Sequence, residues 1–292
     1  MKSAVIFIAL VFILITSFIE YDAVITKPAG WPEPIQSLPT GENLQERITL
    51  GRVLFYDPIL SGDNTISCAS CHSPYNAFAH TDHKLSHGIH DSIGTRNAPA
   101  LMNLAWQRNF MWDGKVNRLL DQVAIPIAHP AEMGETMQHV VLKLQQSSLY
   151  KNLFFSAYKD SLANTENATA ALSDFLLTLI SNNSKYDSVM QHTASFTQQE
   201  KSGYKLFQKN CTSCHTEPLF TNGDFANNGL FPDTVLNDKG RMSVTGKNSD
   251  QYKFRVPTLR NIEYSFPYMH DGRYRRLRDV LNHYSGNKYA SE

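Results

Sequence analysis

Apolar residues recur at helical spacing along much of the chain, and they predict a mostly α-helical protein. Residues 137–149 and 168–180 place apolar side chains three and four positions apart, which puts them on one helix face. A segment nearer the N-terminus has the same character, with apolar residues at Leu44, Ile48, Val53 and Phe55. Asn182-Asn183-Ser184 ends the last periodic stretch, and no β-rich region is evident in the sequence.

The N-terminus carries a continuous apolar run instead of a periodic pattern. Lys2 precedes residues 4–19, in which only Thr16 and Ser17 are polar, and this arrangement is typical of a signal peptide. Because no clean small-residue cleavage site follows, residues 1–20 are predicted to be a signal peptide or an uncleaved N-terminal anchor. Both alternatives place the rest of the chain outside the cytoplasm. Residues 21–41 are rich in proline and predict an extended linker.

Composition limits the function without identifying it. The chain has 292 residues, 42% of them hydrophobic, which is enough for two modest globular domains. Its 27 basic and 27 acidic residues give a formal net charge of zero. A general nucleic-acid binder would carry an excess of basic residues, so no nucleic-acid partner is expected.

Two copies of the pentapeptide C-x-x-C-H carry the most specific chemistry in the sequence. They are Cys68-Ala69-Ser70-Cys71-His72 and Cys211-Thr212-Ser213-Cys214-His215, and they contain all four cysteines of the chain. This motif attaches a c-type haem: the thiols bond to the vinyl groups, and the histidine becomes the proximal iron ligand. The sequence therefore predicts two covalent haems, with His72 and His215 on the irons. A zinc site built from the two C-x-x-C pairs is a poorer interpretation, because zinc sites rarely have a histidine directly after both cysteine pairs.

The pattern G-x-x-L-F precedes both haem motifs, at residues 51–55 and 203–207. A cytochrome c domain carries such a helix, in which the glycine permits a close helix crossing and the aromatic residue packs on the haem edge. The second copy opens with Thr197-x-x-Glu200, which predicts a capping box. We interpret the pair as a duplicated cytochrome c fold with an insertion in the first copy, and we expect the domain boundary around residues 185–197.

The motifs between and after the haem sites resemble those of the bacterial dihaem cytochrome c peroxidase family, which includes the MauG-like enzymes. They occur in the family's order and cover about residues 45 to 285. Besides the two haem motifs, the matching segments are Leu50-Gly51-x-x-Leu54-Phe55, Arg96-Asn97-Ala98-Pro99, Trp112-Asp113-Gly114, Gln122, Glu132-Met133-Gly134, Val256-Pro257-Thr258-Leu259-Arg260-Asn261 and Pro267-Tyr268-Met269-His270-Asp271-Gly272.

The resemblance implies a fold of two cytochrome c-like domains, each carrying one haem, with the active region near their interface. Residues 42–190 would form the N-terminal, peroxidatic haem domain. Residues 191–292 would form the C-terminal, electron-transfer haem domain.

The resemblance also implies roles for three residues at the first haem. Glu132 is similar to the distal acid/base residue, and a carboxylate above the iron can move a proton between the two oxygens of peroxide. Gln122 would orient the peroxide by hydrogen bonds. Trp112 lies where the family places an indole between the two haems.

The remaining ligands are predicted from the same comparison. Asn97, Ser265 and Pro267 match the family's calcium ligands, and amide and carbonyl oxygens suit this hard cation. At the second haem, Tyr284 and Met269 compete for the sixth position on the iron. We favour Tyr284, which the MauG-like members have there, over the thioether of Met269. At the first haem no histidine falls at the expected capping position, although His87 is two residues away, so an open iron is preferred.

Three functions remain as hypotheses. The leading one is an exported, periplasmic peroxidase that reduces hydrogen peroxide to water with electrons relayed from the C-terminal to the N-terminal haem. The second is a MauG-like oxidase that modifies a protein side chain, and the third is a dihaem electron carrier. The implied partners are hydrogen peroxide and a small cytochrome c or cupredoxin donor, or else a protein substrate. A homodimer is a further expectation to test.

Overall fold

The structure is a computed structural model that describes residues 25–286, so the predicted signal or anchor segment lies outside the described residues. Its α-helices are α1 (Leu44–Tyr56), α2 (Cys68–Cys71), α3 (Leu119–Gln122), α4 (Ala124–Ala128), α5 (Met137–Gln146), α6 (Ser148–Tyr158), α7 (Thr165–Leu177), α8 (Lys185–Met190), α9 (Gln198–Asn210), α10 (Met242–Thr245) and α11 (Leu277–Tyr284). Short 3-10 helices lie at Pro58–Leu60, Pro74–Asn76, Ile89–Asp91, Leu104–Trp106 and Asn248–Asp250. Between residues 25 and 286, no helix has both the length and the apolar character needed to cross a membrane.

The mostly α-helical prediction agrees with this structure. The described residues form one small antiparallel sheet, in which β1 (Phe225–Ala226) pairs with β2 (Phe254–Arg255). The predicted helix at residues 137–149 ends three residues early, because Ser147 caps a separate helix, α6, with its side chain accepting the Tyr150 amide hydrogen. The predicted helix at residues 168–180 is shifted toward the N-terminus, since the Asn164 side chain caps α7.

The main core lies in the N-terminal half, residues 25–190. Helix α1 crosses α7 so closely that a Cβ atom on Gly51 would overlap the carbonyl oxygen of Ala171. The fully buried side chains Leu50 and Leu54 flank this crossing, and Phe55 packs against Phe175. The first G-x-x-L-F glycine therefore has the close-packing role that its pattern predicted.

The second G-x-x-L-F segment behaves differently. Helix α9 begins at the predicted capping box, in which the Thr197 side chain accepts the Glu200 amide hydrogen and the Glu200 carboxylate accepts that of Thr197. A Cβ on Gly203 would meet no atom within 4 Å. The predicted close crossing is therefore wrong at this copy, because no helix packs on this face of α9 among the described residues.

The linker predicted at residues 21–41 is extended but docked where it is described. Trp31 is buried and meets Trp106 edge-on at 4.8 Å between ring centroids. The Trp106 indole donates to the Pro32 carbonyl oxygen at 2.8 Å. Both tryptophans are thus part of the packing that holds this segment to the core.

A second internal repeat relates the two halves, with a constant spacing of 158 residues between Phe110-Met111-Trp112-Asp113-Gly114 and Tyr268-Met269-His270-Asp271-Gly272. Each segment forms the same turn: the Phe110 amide donates to the Val116 carbonyl oxygen, and the Tyr268 amide donates to the Tyr274 carbonyl oxygen, both at 2.6 Å. Met111 and Met269 both have a positive φ, of 65° and 75°. Conformation and sequence thus repeat together, as a duplicated fold requires.

Candidate dihaem site

The first C-x-x-C-H motif forms the short helix α2 with His72 at its C-terminal end. Ser67 and Ser70 cap this helix reciprocally. His72 Nδ1 lies 2.9 Å from the Phe78 carbonyl oxygen, so Nδ1–H donates to it and Nε2 is left to bind a metal. Burial lowers the pKa of His72 to about 4, which keeps the imidazole neutral, as iron ligation requires.

The second motif repeats this arrangement. His215 Nδ1 lies 3.0 Å from the Phe220 carbonyl oxygen, and burial lowers the pKa of His215 as well. Phe78 and Phe220 both adopt a positive φ, of 56° and 54°, which turns each carbonyl toward its histidine. Two independent segments therefore orient a histidine in the same way directly after a cysteine pair.

The residues fit covalent c-type haem. All four cysteines are free, and each pair lies within one turn of chain next to its oriented histidine. Apolar surface is also available to a porphyrin: α9 has no buried residue, and its Leu206 is 63% exposed. Arg255 is buried, with the Met111 carbonyl oxygen 3.4 Å from its Nε, and a guanidinium in this position suits an anionic propionate.

Glu132 lies beside the first motif. The pKa of the Cys71 thiol is raised to about 11, mainly by burial and secondly by the negative charge of Glu132. The Glu132 carboxylate therefore lies close to that thiol. The Glu132 side chain is 33% exposed. Burial raises the pKa of Glu132 above its ordinary value, and the neighbouring His129 opposes this rise. A partly buried carboxyl beside the haem motif can act as an acid/base group.

Gln122 is the last residue of α3. Its Nε2 is 3.8 Å from the Met111 sulfur. Met111 precedes Trp112, so the predicted peroxide-orienting amide and the predicted bridging indole adjoin one another through this methionine.

Trp112 is buried where the two halves meet. Its indole Nε1–H donates to the Asn97 carbonyl oxygen at 2.8 Å, and its own carbonyl oxygen accepts the Arg255 amide hydrogen at 2.8 Å. The Asn97 amide in turn donates to the His270 carbonyl oxygen at 2.7 Å. Trp112 is therefore held from both sides of the interface.

Tyr284 and Met269, the two candidate sixth ligands, converge on Asn228. The Asn228 Nδ2 lies 3.3 Å from the Met269 sulfur, and the same side chain hydrogen-bonds the Tyr284 hydroxyl. Partial desolvation of the hydroxyl and the nearby Cys211 and Cys214 raise the pKa of Tyr284, and the bond from Asn228 opposes them. The choice between phenol and thioether stays a prediction.

The predicted calcium ligands lie in one region. Asn97 is buried and its Nδ2 donates to the Lys84 carbonyl oxygen at 3.2 Å. Pro267 is fully buried, and the contact between Asn97 and His270 brings that segment alongside Asn97. The ion itself, and the part of Ser265 in binding it, stay predictions.

The histidines after the first motif form a ladder of stacked rings. His83 lies between His80 and His87, with ring centroids 5.5 Å and 4.3 Å away. The His87 Nδ1 is paired with the Asp91 carboxylate at 2.7 Å. The backbone carbonyl oxygen of His87 is 3.7 Å from the Cys71 sulfur. The preference for an uncapped first iron stays a prediction.

Sequence reasoning missed several residues that shape these sites. Asn228 has no motif around it, and the roles of Phe78 and Phe220 are carried by backbone carbonyls, which any residue type supplies. Met111 could have been found, because the 158-residue repeat aligns it with Met269.

The chain belongs to the di-haem cytochrome c peroxidase family, a family of oxidoreductases, and the sequence model of that family matches residues 45–195. The resemblance predicted from the motifs is thereby confirmed. Cytochrome c peroxidase Ccp of Escherichia coli is 34% identical over 256 residues, covering 85% of this chain and 55% of that protein. The chain therefore spans about half the length of this relative.

Relatives with both peroxidase and MauG names match the chain. The methylamine utilization protein MauG of Methylorubrum extorquens is 32% identical over 87% of this chain and 72% of its own length. Cytochrome c551 peroxidase of Nitrosomonas europaea is 35% identical over 82% of this chain and 73% of its own length.

Solved structures share the fold. A MauG-like protein associated with microbial copper homeostasis has a TM-score of 0.79 and 29% identity, covering 89% of this chain and 81% of that one. The diheme peroxidase BthA of Burkholderia thailandensis has a TM-score of 0.71 and 24% identity, with 84% and 72% coverage. These neighbours support a fold that is largely helical and similar to that of diheme peroxidases.

Proposed function

We propose that this protein is an exported dihaem c-type peroxidase that reduces hydrogen peroxide to water at its N-terminal haem, with electrons relayed from the C-terminal haem. The observation that carries this proposal is the position of Glu132, a partly buried carboxyl with a raised pKa beside Cys71 of the first haem motif. An electron carrier has no need of an acid/base group at that place.

When bound, the first haem supplies the iron at which peroxide is reduced. Glu132 takes a proton from one peroxide oxygen and delivers it to the other, which then leaves as water. Partial desolvation raises the pKa of this carboxyl, which favours the protonated form that donates. Gln122 holds the peroxide by its side-chain amide, and the Met111 sulfur beside its Nε2 limits where that amide points.

Trp112 carries electrons across the interface in this proposal. Its indole N–H donates to the Asn97 carbonyl oxygen, and its backbone carbonyl oxygen accepts the Arg255 amide hydrogen, so residues of both halves hold Trp112 in place. The donor that reduces the second haem would be a small cytochrome c or cupredoxin. The names of two relatives, cytochrome c peroxidase and cytochrome c551 peroxidase, include a cytochrome c.

The test is Glu132→Gln in the holoprotein with both haems attached. Loss of one positioned acid/base group lowers turnover by about 100-fold or more, so peroxide consumption with a reduced donor should fall by that amount. Glu42→Gln is the matched control, because Glu42 is an exposed glutamate outside both haem motifs. Unchanged turnover in Glu132→Gln would contradict the acid/base role, and no turnover in the wild type would favour an electron carrier.

A MauG-like oxidase is the second candidate, and the position of Tyr284 favours it. The hydroxyl lies among Asn228, Cys211 and Cys214, where a phenol can approach the second iron. In that case peroxide would oxidise a side chain of a protein substrate rather than a redox donor. Comparison of Tyr284→Phe with Met269→Leu by electron paramagnetic resonance separates the ligands, because only the true ligand's loss changes the low-spin signal of that haem.

Export, calcium and assembly complete the proposal. Covalent haem attachment outside the cytoplasm and the apolar run after Lys2 support a periplasmic location, either free or tethered. One calcium ion held by Asn97, Ser265 and Pro267 would stiffen the contact between the halves. Cell fractionation and chelator titration of the holoprotein test these two points, and sedimentation tests the homodimer.

A further inference from the structure

We propose that His129 is the proton relay that supplies Glu132 with protons from solvent during peroxide reduction, an inference that rests on the proposed peroxidase function. The His129 Nδ1 lies 3.6 Å from the Glu132 Oε1. The imidazole is 47% exposed and the carboxyl only 33%, so the histidine meets water more readily than the group it adjoins. An imidazole can also take up a proton at one ring nitrogen and release a proton from the other.

The backbone fixes this pair at a defined separation. His129 ends α4, and its carbonyl oxygen accepts the amide hydrogens of Glu132 at 3.0 Å and Gly134 at 2.9 Å. The Met133 carbonyl oxygen accepts the Gly62 amide hydrogen at 2.8 Å, which ties the turn to the core. The two side chains therefore emerge from one rigid turn, and a small ring rotation or one water closes the gap between them.

The imidazole is set up for transfer through both of its nitrogens. The Ala131 amide hydrogen is donated to His129 Nδ1 at 3.3 Å, so the neutral ring carries its proton on Nε2. A proton that enters the ring makes it an imidazolium, in which Nδ1 also carries hydrogen; Nδ1 then gives up the bond from Ala131 and donates toward Glu132. Release of that proton to the carboxylate restores the neutral ring.

The stoichiometry of the reaction requires such a supply. Cleavage of the O–O bond needs no outside proton, because Glu132 moves one of peroxide's own protons from the first oxygen to the second, which leaves as water. The first oxygen becomes water only when two electrons from the reduced donor and two protons from solvent reach it. The relay therefore acts in the reductive phase and not in the cleavage of peroxide.

Other charged groups around Glu132 already have partners. The Ile89–Asp91 turn packs against it, since the Glu132 carbonyl oxygen accepts the Ile89 amide hydrogen at 2.8 Å. The pairs in this neighbourhood are His87 with Asp91, His90 with Asp63, and Glu135 with both His139 and Lys143. Cys71, the other titratable neighbour, loses its proton permanently when it bonds to haem.

The experiment compares His129→Gln with wild type in the holoprotein. Gln keeps a polar side chain but cannot carry a proton, so the turnover number with saturating reduced donor should fall about tenfold, less than a full acid/base loss. The deficit should grow as pH rises, and high concentrations of MES buffer should reduce it, because the buffer replaces the missing carrier. Mixing with one equivalent of peroxide should give the wild-type rate of reaction.

His139→Gln is the matched control, because His139 makes a similar pair with a different carboxylate, that of Glu135, 2.8 Å away. It should turn over like the wild type at every pH. Turnover by His129→Gln equal to wild type, or a deficit that neither pH nor buffer changes, would overturn the relay while leaving the peroxidase intact. Failure of the proposed function is distinct, since the wild type itself would then not turn over peroxide.

Discussion

At the scale of single residues, Arg260 organises the region beneath the second haem motif. Its guanidinium makes two hydrogen bonds to the Asp187 carboxylate, at 2.7 and 2.9 Å, and both side chains are almost fully buried. It also lies 4.5 Å from the Trp31 ring and 5.6 Å from the Phe220 ring. Since the Phe220 carbonyl orients His215, Arg260 supports the loop that sets this proximal histidine.

Asp187→Asn should lower the free energy of unfolding near neutral pH by about 3 kcal/mol, because it leaves the buried Arg260 charge unpaired. Burial alone raises the pKa of Asp187, but hydrogen bonds from Arg260 and Ser184 outweigh it and hold the pKa below its ordinary value. The ionised aspartate therefore stabilises the fold above its unfolded pKa of about 3.9, and this contribution is lost as pH falls through the lower folded value.

Urea unfolding of the holoprotein near neutral pH and in acid measures this effect. The difference between wild type and Asp187→Asn should shrink in acid, whereas the exposed Asp160→Asn should match wild type at both pH values. An equal difference at both pH values would show that the ion pair is not its source.

At the scale of elements, the two G-x-x-L-F helices use the same residues for different purposes. In α1 the glycine lets the backbone touch α7, whereas in α9 the glycine faces open space. The pattern predicts both helices, because periodicity is a local property. It does not predict the partner of either face, because that depends on segments more than a hundred residues away in the case of α1 and α7.

Alanine substitution of the two glycines should therefore have opposite effects. Gly51→Ala forces its Cβ into the Ala171 carbonyl oxygen and should lower the free energy of unfolding by about 1–3 kcal/mol. Gly203→Ala meets no atom within 4 Å and should raise it by about 0.5–1 kcal/mol, since alanine favours a helix interior. Denaturant unfolding of the two variants checks both signs, and equal effects would contradict the asymmetry of the crossings.

In the site, too, residues of a contiguous motif were predictable from the sequence, whereas contacts between distant segments were not. Cys68, Cys71 and His72 were predictable because their motif is contiguous and its chemistry depends on residue type. Asn228 was not, since its contacts with Met269 and Tyr284 arise where separate segments meet. The close approach of His129 to Glu132 was not predicted either, because His129 lies outside the Glu132-Met133-Gly134 motif and the approach depends on the turn between the two residues.

At the scale of the whole molecule, Arg96 is one of several arginines that join the two halves. Arg96 of the N-terminal half contacts Asp238 of the C-terminal half through Nε at 2.6 Å and NH2 at 2.8 Å. Its remaining nitrogen donates to Asp113 at 2.7 Å, and Asp113 directly follows Trp112. Arg96 therefore links the attachment of the halves to the position of the bridging indole.

Arg96→Gln should loosen this interface and slow electron transfer between the haems. It leaves two mostly buried carboxylates without their cation, which should cost about 3 kcal/mol in the free energy of unfolding. Reduction of the second haem by a flash-generated donor, followed by reoxidation through the first, measures the transfer rate. Arg118→Gln is the control, because Arg118 is 62% exposed and meets Asp121 only at 3.7 Å. A wild-type rate in Arg96→Gln, with its stability lowered as expected, would show that Trp112 keeps its place without the arginine.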